Sequence, residues 1–177
     1  MTTGQLYLES TVKRFADYKK LGDRTFEQLN DEQMLFQPNT ESNSVAIIVQ
    51  HLHGNILSRW TNFLTEDGEK AWRKRDDEFE VQPYNKEKLL KLWDEAWNLL
   101  LPVLSSLTEY DLNKTITIRK EPHSVIDAIN RQLAHISYHL GQIVLLGKWM
   151  KGEEWKTLSI PKKGSAEFNE KMMGKDK

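Results

Sequence analysis

The chain has 177 residues, a length that suits one domain with a sizeable hydrophobic core. Its 25 Lys and Arg residues are balanced by 26 Asp and Glu residues, so the net charge of −1 gives no electrostatic reason to expect nucleic acid or a membrane surface as a partner. The absence of Cys excludes disulfides, thiolate catalysis by the chain itself and zinc–thiolate sites.

The amino-terminal segment predicts a helix and no targeting signal. MTTGQLYLESTVKRF lacks the basic start and unbroken apolar stretch of a secretory signal. No later segment is long and apolar enough to cross a bilayer, so we expect a cytoplasmic protein. Apolar residues recur at helical spacing from Leu8 to Leu29, which predicts one long amphipathic helix that ends at Asn30-Asp31.

Two further helices are predicted on either side of a long charged connection. The stretch SVAIIVQHLHGNILSRWTNFL predicts the second helix, with an N-cap among residues 42–44. Residues 65–84 show no sustained apolar period, so we predict a crossover connection there. The stretch NKEKLLKLWDEAWNLLLPVLSSL predicts the third helix, and Pro102 is expected to kink it or shorten its last turn.

The remaining chain completes an all-helical pattern. TITIR fits a short strand or extended chain, and the fourth helix is predicted to open at Ser124 and to run to about Met150. The sequence therefore predicts an all-α fold, an up-down four-helix bundle with a long crossover between helices 2 and 3. We expect the bundle domain over residues 1–152. Residues 153–177 are predicted to be a C-terminal tail, packed on the bundle or partly disordered, with a frayed end GKDK.

Two histidines interrupt the apolar run LAHISYHLGQIVLL of the fourth helix. His135 and His139 are one turn apart and share a face at the border of the apolar stripe. His51 stands in the same relation to the stripe of the second helix, whereas His53 points almost oppositely. Such a pair can ligate one metal ion, and a third histidine from a facing helix would leave a fourth position open. Surface histidines or hydrogen-bonded histidines at the core edge fit the same pattern.

Two stretches carry a resemblance to a known superfamily. They are FEQLNDEQMLFQPNTESNSVAIIVQHLHGN, where a polar turn precedes a helix with a His-Leu pair, and the paired-histidine helix HISYHLGQIVLLGKW. In order and spacing, nearly the whole chain resembles the DinB/YfiT-like superfamily of metal-binding four-helix bundles. GNILSRWTNFLTEDGEKAWRKRDDEFE and WKTLSIPKKGSAEFN are similar to a bacterial subfamily of that group. The resemblance places the metal triad on His51, His135 and His139.

The resemblance leaves the activity open, including whether the protein is an enzyme. Some relatives are similar to thiol S-transferases that use a low-molecular-weight thiol such as bacillithiol or mycothiol, and others have been described as metal-dependent hydrolases. A divalent metal can favour the thiolate form of a thiol, or lower the pKa of bound water to about 7. Three imidazoles suit Zn, Ni, Cu or Fe better than Mg or Ca, and Zn or Ni is our first expectation, with Fe as a further candidate.

Three functional hypotheses follow from these expectations. The leading one is a metal-dependent transfer of a thiol to a small electrophile, and metal-dependent hydrolysis is its alternative. The third is a non-catalytic module that binds a metal or small ligand without turnover. In each, the partner is a small molecule.

Several polar residues are candidates for a role beside the histidines. Asn55 and Gln142 are expected to orient bound water or substrate, or to satisfy a hydrogen bond at the helix edge. Arg59 is expected to bind an anionic substrate group or to form a surface ion pair. Four side chains of the crossover are expected to form a lid or to anchor that connection: Trp72, Arg73, Arg75 and Phe79.

The chain contains six Trp residues, a high number for its length. Trp60, Trp93 and Trp97 fit either the core or an interface. A bundle with apolar faces left over would dimerise, and the resemblance also implies a homodimer.

Overall fold

A computed structural model describes residues 1–174, most of which are helical. The α-helices are α1 (Thr3–Phe26), α2 (Asp31–Leu35), α3 (Val45–Trp60), α4 (Lys86–Ser106), α5 (Val125–Lys151) and α6 (Ser165–Met173). Two strands, β1 (Thr115–Ile118) and β2 (Glu121–Ser124), form an antiparallel hairpin, and short 3₁₀ helices span Asp76–Phe79 and Gly152–Glu154. This composition agrees with the predicted all-α class. None of the described helices combines the length and the apolar character that a membrane span requires.

Side-chain caps fix the starts of the helices that carry the histidines. The Ser44 hydroxyl accepts a hydrogen bond from the backbone N–H of Ile47 at 3.1 Å. Ser44 is thus the N-cap of α3, one of the three residues predicted for this position. Ser124 likewise accepts from the N–H of Asp127 at 3.1 Å, which confirms the predicted start of α5. Both caps fix the residue at which their helix begins.

The predicted end of the first helix was wrong. Helix α1 ends at Phe26, and Asn30 begins the separate helix α2. The Asn30 side chain accepts from the Gln33 N–H at 2.9 Å, and the Gln33 side chain accepts from the Asn30 N–H at 3.0 Å. This reciprocal capping box starts a new helix, although Leu29 and Met34 are buried as their apolar character predicts.

The core lies among the four longest helices. Helix α1 packs against α4 and α5, and α3 packs against the same two helices. Trp60, Trp93 and Trp97 are each about 1% exposed, so these tryptophans belong to the core and not to an interface. Pro102 lies inside α4, which continues to Ser106.

Two connections pack onto this helical core. TITI forms the predicted strand β1, and its hairpin is tied to the crossover by a 2.8 Å hydrogen bond from the Gly68 N–H to the Thr117 carbonyl. The beginning of the tail lies beside the end of α1, where the side chain of Gln28, just past the helix, exchanges hydrogen bonds with the backbone of Lys156. Helix α6 has no buried residue. The predicted fraying of GKDK falls mainly on residues 175–177, which lie outside the described part of the chain.

Candidate metal centre

The three histidines singled out in the sequence converge on one point. The Nε2 atoms of His51 and His135 are 3.1 Å apart, and those of His139 and His135 are 3.2 Å apart. His51 comes from α3 and the other two from successive turns of α5, so the contact between these helices brings the nitrogens together. His53 lies elsewhere, with its Nε2 2.9 Å from the exposed carboxylate of Glu95.

Hydrogen bonds on the far side of two rings fix which nitrogen carries the proton. The Nδ1 of His51 donates to the Glu78 carboxylate at 2.9 Å, and the Nδ1 of His139 donates to the Gln142 side-chain oxygen at 3.1 Å. With the Nδ1 proton held in this way, the uncharged form of each ring has its lone pair on Nε2, the atom directed toward His135. Such outer partners orient metal-ligating histidines in many proteins.

The electrostatics of the site favour uncharged imidazoles. Burial lowers the pKa of His135 to about 3, and the neighbouring His139, His51 and two arginines add to the effect. Burial and His51 lower the pKa of His139 to about 4, against a smaller opposing effect of Gln142. At neutral pH both rings are therefore uncharged, which is the form that binds a metal.

The spacing of the nitrogens fits a metal ion. Two ligands at about 2.05 Å from a tetrahedral Zn²⁺ lie about 3.3 Å apart, close to the observed separations. Without a metal, the Nε2 atoms of His51 and His139 would both need a hydrogen bond from the N–H of His135. One proton serves two acceptors poorly. The three clustered histidines could thus hold a metal ion.

The crossover covers the outer face of the histidine cluster. The Phe79 ring lies 4.7 Å from the ring of His51, centroid to centroid, and the Arg73 guanidinium holds Glu78 through bonds of 2.7 and 2.9 Å. Burial alone would raise the pKa of Glu78, but the bonds from His51 and Arg73 outweigh it and lower that pKa. Of the four crossover residues expected near the site, Trp72 lines a different pocket, on the side of His53, and is 57% exposed.

Gly54 makes room for this carboxylate. A Cβ at this position of α3 would overlap the carboxylate of Glu78, which Arg73 and His51 hold in place. The sequence showed only a helix-weakening glycine one turn from the histidine. The structure gives the glycine a specific packing role beside the candidate metal centre.

The other predicted neighbours occupy different positions around the site. Gln142 contacts His139, as described, and Asn55 and Arg59 line a cavity of about 270 Å³ that also reaches His51 and His135. The Oδ1 of Asn55 has no hydrogen-bond partner among the described residues. Arg59 binds the Glu69 carboxylate at 2.9 Å. Two of the predicted residues are thus placed where a ligand at the histidines would meet them.

Sequence reasoning missed the residue that contacts His51 most closely. Glu78 lies in a connection without periodicity, 27 residues from the histidine, and many acidic residues surround it in the chain. It also missed Arg119, Arg131 and Gln132 of the cavity wall. The single signal in the sequence was Gly54 itself, since an interior helix glycine often marks a close approach of another group.

Comparison with known proteins identifies the family. Residues 2–164 match the family described as protein of unknown function, DUF1572. The chain belongs to DUF1572. DinB/YfiT-like families are in the same clan as DUF1572. No curated protein matches the sequence.

The DUF1572 match spans every residue described above at the histidine cluster. It includes the crossover that supplies Glu78 and Phe79, and it stops just before α6. Helices α1 to α5, the hairpin and the candidate metal centre therefore all lie within the part of the chain that defines its family membership.

Proposed function

We propose that this DUF1572 chain is a DinB/YfiT-like four-helix bundle that binds a divalent transition metal through His51, His135 and His139. The observation that carries the proposal is the convergence of three ring nitrogens: the Nε2 of His135 lies 3.1 Å from that of His51 and 3.2 Å from that of His139, and one ligand atom from each ring lies within 4.8 Å of the others. Their nitrogen donors suit Zn, Ni, Cu or Fe, of which Zn or Ni is the first expectation and Fe a further candidate. The mutual packing of the four longest helices and the shared clan support the bundle architecture.

The proposed reaction is the transfer of an external thiol to a small electrophile. When bound, a divalent metal favours the thiolate form of a thiol, the nucleophilic form. The sulfur forms a bond to an electrophilic carbon, the leaving group departs with its electron pair, and the thiol proton is released to water. Because the chain has no Cys, the thiol must be a separate low-molecular-weight molecule such as bacillithiol.

The chain's own residues have defined tasks in this proposal. Glu78 and Gln142 keep the protons of His51 and His139 on Nδ1, so that both Nε2 atoms remain free to bind. Phe79 covers one face of His51 and limits the access of water from the crossover side. The cavity beside His51 and His135 gives a ligand its approach to these two rings.

A homodimer is part of the proposal on the strength of the superfamily resemblance. The three tryptophans that suggested an interface lie in the core, so they give it no support. An exposed apolar surface is offered by Phe36, just after α2, and Trp149, near the end of α5, whose rings pack edge to face at 6.3 Å. Light scattering on the untagged protein tests the oligomeric state.

The first experiment measures metal content by mass spectrometry on untagged protein. Wild type is compared with His51→Ala and with the double variant His135→Ala/His139→Ala. His53→Ala serves as the matched control, because this histidine of the same helix pairs with Glu95 and not with the cluster. We expect close to one metal per chain in wild type and in the control, and loss of metal in both triad variants.

The second experiment separates the three functional hypotheses. The metal-loaded protein is titrated with thiols and then assayed with a panel of electrophiles and esters. A thiol-induced change in the spectrum of the Co²⁺- or Ni²⁺-loaded protein, followed by consumption of an electrophile, supports transfer. Ester cleavage without thiol favours hydrolysis. Ligand uptake without turnover on either panel favours the non-catalytic module, and persistent absence of metal after reconstitution contradicts the whole proposal.

A further inference from the structure

Arginines dominate the wall of the cavity beside the histidines. The cavity lies between α3, α5, the hairpin and the crossover, and it has a volume of about 270 Å³. His51 and His135 border it on one side. None of the described residues that line it is acidic, and five are arginines: Arg59, Arg73, Arg75, Arg119 and Arg131. A cationic wall of this kind attracts an anion.

Too few carboxylates surround these arginines to neutralise them. One oxygen of Glu69, Oε2, is shared by three guanidinium groups: it lies 2.9 Å from Arg59 Nη1, 3.0 Å from Arg119 Nε and 3.7 Å from Arg73 Nη1. Glu78 is engaged by Arg73 at 2.7 Å and by His51. Two carboxylates therefore serve three of the arginines, which leaves an excess of positive charge at the cavity wall.

The other two arginines add to this excess. Arg75 approaches a carboxylate, that of Asp76, no closer than 3.9 Å, and Asp76 is fully exposed to solvent. The guanidinium carbon of Arg75 lies 5.2 Å from the centre of the Phe79 ring, the ring that covers His51. Arg131 forms no ion pair with any described residue. Both side chains are therefore free to bind a ligand that enters the cavity.

Two buried hydrogen-bond donors of the cavity wall lack an acceptor. The Nη1 of Arg73 and the Nε2 of Gln132 are buried and have no hydrogen-bond partner among the described residues. The Gln132 side chain cannot simply turn to find one, because its oxygen accepts from the indole N–H of Trp60 at 3.2 Å. Buried donors are normally satisfied, so these two point to an acceptor that a ligand or water supplies.

Arg119 is presented to the cavity by a fixed turn. It has a φ of 57°, an unfavourable backbone conformation for a residue with a side chain. The carboxylate of Asp67 holds this turn by accepting from the N–H groups of Arg119 and Lys120, both at 2.8 Å. The hairpin therefore delivers a guanidinium to the rim of the cavity at a defined place.

We infer that the cavity binds the oxyanion group, a carboxylate or a phosphate, of a small ligand whose other end reaches the histidine cluster. Guanidinium groups match both oxyanions through paired hydrogen bonds, and Gln132 adds a neutral donor. The inference names the chemical class of the ligand in the proposed function and rests on that function for the role of the histidines. Binding of the anion itself needs only the arginine wall.

The test is an anion titration of the metal-free, full-length protein at constant ionic strength. Inorganic phosphate and succinate are the probes, and succinamide is the uncharged counterpart of succinate. Binding is followed by nuclear magnetic resonance of the arginine Nε–H and glutamine side-chain signals. We expect both anions to shift signals of the cavity residues and succinamide to leave them in place. The tighter of the two anions identifies the oxyanion group as phosphate or carboxylate.

Variants assign this binding to the cavity. Arg75→Gln/Arg131→Gln removes the two arginines with the least compensation and is expected to weaken anion binding at least about tenfold. Arg14→Gln, an exposed arginine of α1 that does not line the cavity, is the matched control and should bind as wild type does. Equal binding by wild type and the double variant, equal weakening by the control, or equal binding of succinamide would overturn the inference.

Metal content of the same preparations keeps the two proposals separate. Arginine-dependent anion binding by a protein that never takes up metal would contradict the proposed function and leave this inference standing. Metal uptake at the histidines without arginine-dependent anion binding would contradict this inference alone.

Discussion

Glu78 reaches across from the crossover to hold His51 through a hydrogen bond of 2.9 Å between its carboxylate and Nδ1. Both side chains are buried, with exposed fractions of 8% and 6%. An ionised carboxylate accepts and cannot donate, so Nδ1 carries the proton, and the metal-binding form of the ring has its lone pair on Nε2. The pair therefore prepares one of the three proposed metal ligands before any metal arrives.

Replacing this carboxylate should weaken metal binding without removing a ligand. In Glu78→Gln the amide oxygen can still accept from His51, but the negative charge that increases the basicity of the ring is lost. Changes of this kind lower metal affinity roughly 10- to 100-fold. Competition with a chromogenic chelator measures the affinity, and circular dichroism checks that the helices are intact.

Glu95→Gln is the matched control for that variant. Glu95 also contacts a histidine at 2.9 Å, but its partner is His53 and the carboxylate is largely exposed. Its replacement should leave metal affinity unchanged. Equal affinities of wild type and Glu78→Gln would mean that Glu78 serves only to anchor the crossover.

A methyl group at position 54 should disturb the same contact from the helix side. The Cβ of Gly54→Ala would overlap the Glu78 carboxylate, which must then leave its bonds to His51 and Arg73. Alanine is nevertheless the better helix former by about 1 kcal/mol. We expect α3 to persist while metal affinity falls about as far as in Glu78→Gln, measured by the same chelator competition.

Gly141→Ala controls for the helical substitution itself. Gly141 lies in α5 between His139 and Gln142, and a Cβ there meets no atom within 4 Å. This variant should bind metal as tightly as wild type. A Gly54→Ala protein that also binds as wild type would show that Glu78 can move aside at no cost to the site.

Helical periodicity predicted part of the histidine cluster, and the superfamily resemblance joined His51 to His135 and His139. His135 and His139 share a face by spacing alone, and the apolar stripe around His51 gave that residue the same relation to the core. The caps at Ser44 and Ser124 set the helix starts as predicted. The face of a single helix on which a residue lies could therefore be predicted from the sequence.

Contacts made by irregular segments could not be predicted from the sequence in the same way. Glu78 lies in a short 3₁₀ helix whose sequence DDEF offers three acidic residues, and only the packed crossover selects one of them. Helix α2 was missed because its five residues are too short to show a period, although the Asn30 and Gln33 capping box was present. Long-range packing, not local propensity, decides such features.

Gly22 supports a prediction about stability alone. A Cβ on this residue of α1 would penetrate the ring of Trp93, which is about 1% exposed and donates to Asp23 at 2.8 Å. Overpacking of this kind costs about 1–3 kcal/mol. We expect Gly22→Ala to lower the free energy of unfolding by that amount in urea titrations.

The control for Gly22→Ala is again Gly141→Ala. Its Cβ meets open space, so helix propensity should dominate and raise the free energy of unfolding by up to about 1 kcal/mol. Changes of the same sign in the two variants would contradict close packing of α1 on Trp93. Metal affinity should remain at the wild-type value in both.

The depressed pKa values of the paired histidines make the metal-free protein sensitive to acid. Burial lowers the pKa of His135 to about 3 and, with His51, that of His139 to about 4, from an ordinary value of 6.5. At a pH between the folded-state pKa values and 6.5, these two histidines bind protons in the unfolded chain but not in the folded chain. The contribution of the uncharged rings to the free energy of unfolding is therefore fully present above about pH 6.5. It is lost as the pH falls toward the folded-state pKa values.

Urea titrations of metal-free protein at about pH 7 and about pH 5 measure this dependence. Most carboxylates remain ionised across that interval, so histidines dominate the change. We expect the free energy of unfolding of wild type to fall, and that of His135→Gln/His139→Gln to fall less, because the variant no longer resists protonation at either position. Equal slopes for the two proteins would mean that the rings are solvated well enough to accept protons in the folded state. Because metal binding requires the same uncharged rings, the variant that flattens this pH dependence should also be the one that fails to retain metal.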